Sequence, residues 1–298
     1  MDNQTVQIRK ALVIGSSGLL GQALVPYLQK KGFTVLTPTH TALPVENYAA
    51  VLEFLKVHRP SVVINAAAAI NVDAVEVDPY IAWQANTLGA AACARALAEL
   101  QMQDTPYLYI STNYVFDDSR AVYCEADPVS PMNVYGETKA KGESLIATYC
   151  TKGSIPYYIA RTSWLYGEHK NTFVDAMVAA LQRGETVQAF SKHLGNLTAV
   201  SDFVRALIDE LYLQQRPSGI YHLINEVADA AGGVSRYAVA AHVASVLGVD
   251  QARVQKNDQA VAFVAERPAT AVLRNTKLPP LPLWDDALTA YLRAVYMV

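Results

Sequence analysis

The sequence predicts an α/β protein in which a doubly wound parallel sheet is followed by a smaller, mostly helical lobe. Two observations predict this fold class. Short apolar runs alternate with helical patterns through the first half of the 298 residues, and a glycine-rich turn separates the first run from the first helix. After about residue 161 the regular alternation ends, which indicates a second lobe of less regular structure.

Apolar runs without polar alternation are typical of strands that are buried on both faces of a sheet. In the first half these runs are ALVIG (11–15), FTVLT (33–37), SVVINAAA (61–68), PYLYIST (106–112) and PYYIART (156–162). One further run, GIYHLI (219–224), predicts a strand in the second half.

Apolar residues that recur every three or four positions predict helices between these strands. In the first half the predicted helices cover about 19–31, 46–58, 78–101 and 134–150. In the second half they cover about 172–183, 201–214, 234–247 and 284–295. Because strand and helix alternate only in the first half, that half is predicted to form the doubly wound sheet.

Composition excludes several classes of protein. Hydrophobic residues make up 52% of the chain and charged residues 17%, which indicates a compact protein without long disordered segments. The net charge is −3 and the basic residues are not clustered, so we expect no nucleic-acid partner. We also expect no membrane span, because no apolar run approaches about 20 residues. Cys93, Cys124 and Cys150 are widely separated, which favours a reducing, cytoplasmic compartment.

The stretch GSSGLLG places Gly15, Gly18 and Gly21 between the first predicted strand and helix. Glycines there permit a tight turn and the close approach of a pyrophosphate to free N–H groups at the helix start. The alternative is a purely structural turn, which this strand–turn–helix context disfavours. We therefore predict a Rossmann-type dinucleotide-binding domain at residues 1–165 and a substrate-binding lobe at 166–298, with some later segments returning to the first domain. Residues predicted to contact the cofactor at this turn are Gly15, Ser17, Gly18, Leu19, Leu20 and Gly21.

The end of the second predicted strand bears on which dinucleotide is used. Enzymes that prefer NAD usually carry an acid there, which binds the ribose 2′-hydroxyl. Residues 37–40 read TPTH and contain no carboxylate, so the sequence favours NADPH and leaves NADH open. Thr39 is the predicted cofactor contact in this turn.

The stretch NVYGETK (133–139) places Tyr135 four residues before Lys139, so both lie on one face of a predicted helix. Thr112 ends the fourth predicted strand, at the edge where parallel sheets bind ligands. A phenol beside an ammonium ion could donate a proton to a developing alkoxide, while a hydroxyl polarises the same oxygen. The alternatives are an exposed Tyr–Lys pair and a hydroxyl that only caps the strand.

Six motifs together resemble the extended short-chain dehydrogenase/reductase superfamily. They are the glycine turn, NAAA (65–68), STNYVF (111–116), NVYGETK (133–139), RTSWLYG (161–167) and RPATAVLRNTKL (267–278). The resemblance extends from about Lys10 to the end of the chain. It implies NAD(P)H-dependent reduction of a 4-keto group on a nucleotide-linked deoxysugar.

The resemblance also implies roles for individual residues. Thr112, Tyr135 and Lys139 match the catalytic residues, and the positive charges of Lys139 and the nicotinamide are expected to lower the phenol pKa. Cofactor contacts are implied for Ala66, Ala67, Ala68, Asn86, Ser111, Tyr135 and Lys139. Substrate contacts are implied for Asn113, Tyr114, Trp164, Arg267 and Asn275, with Arg267 as the phosphate contact.

The chain departs from the superfamily pattern at several positions, which leaves the nucleotide sugar undetermined. These positions, expected near sugar and nucleotide, are Ala69, Ala74, Asn113, His193 and Leu197. Because Asn113 and Tyr114 supply no carboxylate after Thr112, a dehydratase is disfavoured, whereas an epimerase stays open.

A non-catalytic alternative comes from the regulatory beta subunit of methionine adenosyltransferase, a reductase-like chain that binds NADP. The sequence does not distinguish it from an enzyme. Some relatives hold a metal at a dimer contact through a glutamate where this chain has Ala23, so we expect no metal there. A homodimer stays open.

Overall fold

A parallel sheet of six strands forms the centre of the computed structural model, which describes residues 9–228, 232–259 and 263–296. Within those ranges the strands are β1 (Lys10–Ile14), β2 (Thr34–Leu36), β3 (Val62–Asn65), β4 (Tyr107–Thr112), β5 (Val122–Tyr123), β6 (Tyr157–Thr162), β7 (Leu165–Tyr166), β8 (Val187–Ala189), β9 (Leu194–Gly195), β10 (Thr198–Ala199), β11 (Gly219–His222), β12 (Val234–Ser235), β13 (Val254–Lys256) and β14 (Val272–Leu273).

The helices of the same ranges alternate with the strands of the sheet through the first half. They are α1 (Leu19–Lys30), α2 (Tyr48–His58), α3 (Val72–Val77), α4 (Pro79–Ala82), α5 (Ala90–Glu99), α6 (Val134–Gly153), α7 (Phe173–Gln182), α8 (Val200–Arg205), α9 (Arg236–Val246) and α10 (Trp284–Tyr296). Two π-helical segments interrupt the α-helices: Trp83–Gly89 joins α4 to α5, and Ala206–Tyr212 extends α8. None of the helices in the described ranges has the length and apolar character needed to cross a bilayer.

The strand order across the sheet is β2-β1-β3-β4-β6-β11, and all neighbours are parallel. The chain winds from β1 to β2 in one direction and then from β3 onward in the other. This change of direction opens a crevice at the carboxyl ends of β1 and β3, where doubly wound sheets bind ligands. The predicted α/β doubly wound fold is confirmed.

Later segments of the chain also pack on this sheet. The edge strand β11 pairs with β6, from Gly219 opposite Tyr158 to His222 opposite Arg161. Helix α8 and its π-helical extension pack beside α1, and their buried residues, such as Phe203, share one core with the sheet. Two parts of the second half therefore complete the first sheet, and the domain boundary at residue 165 stays a prediction.

The second lobe has its own core between α7, α9 and α10. Val178, Val243 and Leu288 are fully buried there. Asp175 in the first turn of α7 accepts hydrogen bonds from the hydroxyls of Tyr291 and Tyr296, at 2.6 Å each. The last helix is thereby attached to the lobe by polar as well as apolar contacts.

A buried ion pair connects α6 to the sheet. The Arg161 guanidinium of β6 donates to the Glu143 carboxylate of α6, with Nη2 to Oε2 at 2.6 Å and Nε to Oε1 at 3.0 Å. From β4, Ser111 Oγ donates to the same carboxylate at 2.5 Å. Arg161 is 1% exposed and Glu143 is 5% exposed, so neither charge has water as an alternative partner.

Replacing Glu143 with glutamine should strongly destabilise the protein. The Glu143→Gln change keeps the side-chain shape but leaves the Arg161 charge buried without a counter-ion. We expect the free energy of unfolding to fall by about 3–5 kcal/mol. Urea denaturation followed by circular dichroism measures the loss.

Glu185→Gln is the matched control, because Glu185 pairs with Arg183 where both side chains are exposed. An exposed pair contributes at most about 1 kcal/mol. Equal losses in the two variants would show that the Arg161–Glu143 pair does not stabilise α6 on the sheet.

Candidate active site

The glycine turn packs so closely that a side chain is excluded at two of its glycine positions. Gly15 has a φ of +80°, and a Cβ there would lie 2.6 Å from the Ala67 amide nitrogen. A Cβ on Gly21 would lie 2.2 Å from the Gly15 carbonyl oxygen. Gly18 precedes α1, whose amino end is not capped by any side chain in the described ranges and has no acid in its first turn. The turn therefore offers free N–H groups that suit the pyrophosphate of a dinucleotide.

The other residues predicted at the cofactor crevice differ in how far their side chains are exposed. Ser17 is exposed and Leu19 is half-buried, but the Leu20 side chain lies in the core beneath α1, so that residue presents only its backbone. Ala66, Ala67 and Ala68 follow β3 and are half-buried, and the backbone of the first two lies close to Gly15. The crevice wall beside the glycine turn is therefore built from small side chains.

Thr39 lies in a turn after β2, where its carbonyl oxygen accepts from the amides of Ala42 and Leu43 at 3.0 and 2.9 Å. Nε2 of the neighbouring His40 lies 3.0 Å from the Glu46 carboxylate. Residues 37–40 contain no carboxylate, but the structure brings Glu46 beside them. Glu46 was not predicted from the sequence, because it comes near these residues only when the loop folds back after His40.

Asn86 lies in the π-helical segment Trp83–Gly89 and is fully buried. Its Oδ1 accepts from the Ala69 amide at 2.9 Å, and its Nδ2 donates to the Ala69 carbonyl at 3.2 Å and to Thr138 Oγ1 at 3.1 Å. Both polar atoms of the side chain therefore have protein partners. Asn86 connects the loop after β3 to α6, which indicates a positioning role beside the cofactor crevice.

The amino end of α6 is placed directly against the turn that follows β4. Asn133 caps the helix by accepting from the Gly136 amide at 2.9 Å. A Cβ on Gly136 would lie 2.0 Å from the Tyr114 carbonyl oxygen, so only glycine permits this contact. As a result, Tyr135 lies beside Thr112 and Tyr114, and its ring meets that of Tyr114 edge-on at 5.8 Å.

The Tyr135 phenol is the proton-donor candidate. Burial raises its pKa to about 12, with the hydrogen bond to Thr112 acting in the opposite direction. The sequence argument expected Lys139 to lower this pKa, but within the described protein alone burial outweighs every other influence. The phenol therefore carries its proton at neutral pH.

Lys139 is 1% exposed and lies one turn after Tyr135. Its Nζ donates to the Ile110 carbonyl at 2.5 Å and lies 3.9 Å from the centre of the Tyr109 ring. Burial lowers the pKa of Lys139 to about 7, against an opposing influence of the Glu143 carboxylate. The charge of this lysine is therefore sensitive to pH near neutrality.

Thr112 and Asn113 are held by the backbone around them. Thr112 Oγ1 accepts from the Tyr114 amide at 3.2 Å, and its contact with Asn113 Oδ1 is long, at 3.4 Å. Asn113 Nδ2 donates to the Ala271 carbonyl of the second lobe at 3.0 Å. The Thr112 hydroxyl therefore makes no short hydrogen bond to Asn113 and is hydrogen-bonded to the Tyr135 phenol, so the two hydroxyls are adjacent.

A cavity of about 350 Å³ lies against this turn, between the two lobes. Four of the five predicted substrate residues line it: Asn113, Tyr114, Trp164 and Arg267. Asn275 does not, because it lines a separate cavity of about 300 Å³ and its amide is used in its own turn. There its Nδ2 donates to the Leu278 carbonyl at 2.9 Å, and its Oδ1 accepts from the Lys277 amide at 3.1 Å.

Arg267 lines the cavity but is bound to a carboxylate from the first lobe. Its Nη1 and Nη2 donate to Asp73 at 3.0 and 2.7 Å, and Nη1 also donates to the Ala265 carbonyl at 3.0 Å. The hydrogen bonds from Arg267 lower the pKa of Asp73 to about 2. The predicted phosphate contact therefore already has an anionic partner.

Arg236, which was not among the residues predicted from the sequence, is a second arginine that lines the same cavity. It is the first residue of α9, and its guanidinium lies 3.7 Å from the centre of the Phe173 ring and 4.8 Å from that of Trp164. A lone arginine at a helix start gives no sequence signal, since it more often faces solvent.

Known proteins resemble this chain over most of its length. The chain is 35% identical over 292 residues to dTDP-4-dehydrorhamnose reductase of Streptomyces griseus, covering 93% of this chain and 91% of the relative. It is 33% identical over 285 residues to a probable dTDP-4,6-dihydroxy-2-methyloxan-3-one 4-ketoreductase of Streptomyces antibioticus, covering 93% and 92%.

Among solved structures, the chain resembles dTDP-4-dehydrorhamnose reductase of Bacillus anthracis in complex with NADP. The TM-score is 0.86 at 25% identity, over 97% of this chain and 100% of that one. The family model described as the RmlD substrate binding domain matches residues 9–297. The resemblance inferred from the motifs is confirmed, and the chain belongs to the RmlD substrate binding domain family.

Proposed function

We propose that the protein is an NADPH-dependent reductase of the 4-keto group of a nucleotide-linked deoxysugar, of the dTDP-4-dehydrorhamnose reductase type. One observation carries the proposal: Thr112, Tyr135 and Lys139 meet at the carboxyl end of β4, between a dinucleotide crevice and a cavity lined by arginines. The names of the relatives support it. Because those names cover more than one ketosugar, the particular sugar is left to assay.

The residues of the first lobe suit a dinucleotide. The N–H groups at the start of α1 would bind the pyrophosphate, with Gly15 and Gly21 permitting its close approach. Ala66 and Ala67 would line the crevice beside it, and Lys139 would bind the nicotinamide ribose. When bound, the reduced nicotinamide supplies a hydride.

The proton transfer can be assigned to atoms of this chain. Thr112 Oγ1 donates a hydrogen bond to the substrate carbonyl oxygen and polarises it. As the carbonyl carbon accepts the hydride, Tyr135 Oη transfers its proton to the same oxygen, which becomes the product hydroxyl. The phenolate left behind is stabilised by Lys139 in its protonated form.

Location and assembly belong to the same proposal. Cys93, Cys124 and Cys150 are free thiols, which fits a reducing, cytoplasmic compartment. Association into a homodimer is part of the proposal as well, and sedimentation velocity of the purified protein tests it.

Tyr135→Phe should lower turnover of a 4-ketosugar nucleotide by at least about 10²-fold, because the positioned acid is lost. Cofactor should still bind, since the change removes one hydroxyl. Oxidation of NADPH at 340 nm with a panel of dTDP- and UDP-linked 4-ketosugars measures turnover, and fluorescence titration measures cofactor binding. Tyr80→Phe is the control, as that tyrosine is exposed. Near-native turnover by Tyr135→Phe would remove this residue from the mechanism.

The cofactor prediction is that kcat/KM with NADPH equals or exceeds that with NADH. Residues 37–40 supply no carboxylate to repel a 2′-phosphate. Steady-state kinetics with both cofactors, at one fixed substrate concentration, check this. A strong preference for NADH would contradict this prediction. Glu46, whose carboxylate lies beside His40, would then be the candidate for the acid that disfavours a 2′-phosphate.

Lys139 makes a prediction about pH and stability. In the unfolded chain its pKa returns to about 10.5, whereas in the folded protein it is about 7. Between these values the unfolded state binds more protons, so this lysine makes the free energy of unfolding rise with pH. The rise is at most about 1.4 kcal/mol per pH unit.

Urea denaturation at pH 7, 8 and 9 should show this rise in the native protein and a smaller rise in Lys139→Met. Lys152→Met removes an exposed lysine from the same helix and should behave as the native protein does. Identical slopes in native protein and Lys139→Met would refute a lowered pKa at Lys139.

A further inference from the structure

The wall of the substrate cavity carries an unbalanced positive charge. Its lining includes Arg236 and Arg267, and none of the lining residues in the described ranges is aspartate or glutamate. A concave site lined by one sign of charge favours a ligand of the opposite sign. If the proposed function holds, that ligand is the diphosphate of the nucleotide sugar.

The two arginines differ in whether a protein group already neutralises them. Arg267 is paired with Asp73 through both of its terminal nitrogens. For Arg236, no carboxylate within residues 9–228, 232–259 and 263–296 lies at ion-pair distance. Its contacts are aromatic faces, those of Phe173 and Trp164. These contacts hold the guanidinium plane in place without using its hydrogen-bond donors.

The backbone around Arg236 is held firmly. Ser235 pairs with Leu194 in the β12–β9 ladder and caps α9 by accepting from the Ala238 amide at 3.0 Å. The Tyr237 amide donates to the Phe190 carbonyl at 2.9 Å. The guanidinium is therefore positioned before any ligand binds, which lowers the entropy cost of binding.

The aromatic support of Arg236 is itself constrained. Trp164 has a φ of +33°, which is rare for a bulky residue and persists only where its surroundings enforce it. A Cβ on Gly195 would lie 3.1 Å from the Trp164 ring, so glycine allows the ring to pack against that backbone. The Trp164 ring is thus held between Gly195 and Arg236. Its backbone has a strained conformation of a kind that is common at ligand sites.

We propose that Arg236 is the residue that binds the diphosphate of the nucleotide sugar, while the Arg267–Asp73 pair closes the cavity wall. Burial lowers the pKa of Arg236 to about 10, which shows that its charge is only partly solvated. An anion that accepts its free donors relieves this cost.

The position of Arg236 relative to the catalytic residues follows from Tyr114. The charges of both arginines act on the Tyr114 phenol, and the Tyr114 ring meets Tyr135 edge-on. Tyr114 is therefore close both to the arginines and to the proton donor, so a diphosphate bound at Arg236 would lie near the catalytic end of the cavity. That arrangement leaves the sugar to extend toward Tyr135 and Thr112.

Binding of dTDP, measured by isothermal titration calorimetry without cofactor or turnover, tests the proposal. Arg236→Met should weaken dTDP binding about 10-fold to 100-fold, the range expected for lost charge-assisted hydrogen bonds. Thymidine, which has no phosphate, should bind both proteins equally. Arg236→Lys should fall between them, because the charge is kept but the planar fork is lost.

Two controls separate this role from general effects of charge. Arg183→Met removes an exposed arginine from the same lobe and should leave dTDP binding unchanged. The double variant Asp73→Asn with Arg267→Met removes one charge of each sign and should weaken binding less than Arg236→Met does. Thermal melts establish that each variant is folded. If Arg236→Met does not fold, the Arg236→Lys variant is used for the binding test instead.

Three results would overturn the assignment: native-like dTDP binding by Arg236→Met, an equal loss of thymidine binding, or a larger loss in the double variant. Failure of the native protein to bind dTDP at about 1 mM would also overturn it. If dTDP binding depends on Arg236 but no ketosugar is reduced, the reductase proposal is rejected and the assignment of Arg236 as the diphosphate site stands. If ketosugars are reduced but dTDP binding does not depend on Arg236, the reductase proposal stands and the assignment of Arg236 is rejected.

Discussion

The buried pair of Arg161 and Glu143 is the interaction on which the position of α6 depends. Two charges removed from water are tolerated only while each contacts the other, and Ser111 completes the coordination of the carboxylate. A shift of α6 along the sheet would separate them and leave a charge unpaired. The pair therefore restricts α6 to one register, and with it the positions of Tyr135 and Lys139.

From that fixed helix, polar contacts extend to both sides of the site. Toward the cofactor crevice, Asn86 connects Thr138 of α6 to the loop after β3. Toward the substrate cavity, Asn133 at the start of α6 donates to the Glu266 carbonyl at 2.8 Å, beside Arg267. Because one helix contacts both walls, its packing sets the position of the crevice relative to the cavity.

The positions at which this chain departs from the superfamily pattern differ in whether they line the substrate cavity. Of the positions where this chain departs from the superfamily pattern, Asn113 and His193 line the cavity, whereas Leu197 is fully buried in the core of the second lobe. Ala69 contacts Asn86 only through its backbone. Leu197 therefore does not line this cavity, and the expectation that all these positions lie near the sugar stays a prediction.

The sequence by itself determined the fold class, the order of the strands and helices, and the placement of Tyr135 and Lys139 one turn apart on one helix. Those features depend on local periodicity, on the glycine turn and on a spacing of four residues within one helix. Tertiary structure alone decided that β11 joins the first sheet, that Asp73 pairs with Arg267, that Asn275 faces another cavity and that Arg236 enters the substrate cavity. Each of these contacts joins residues far apart in the chain, so local pattern carries no information about them.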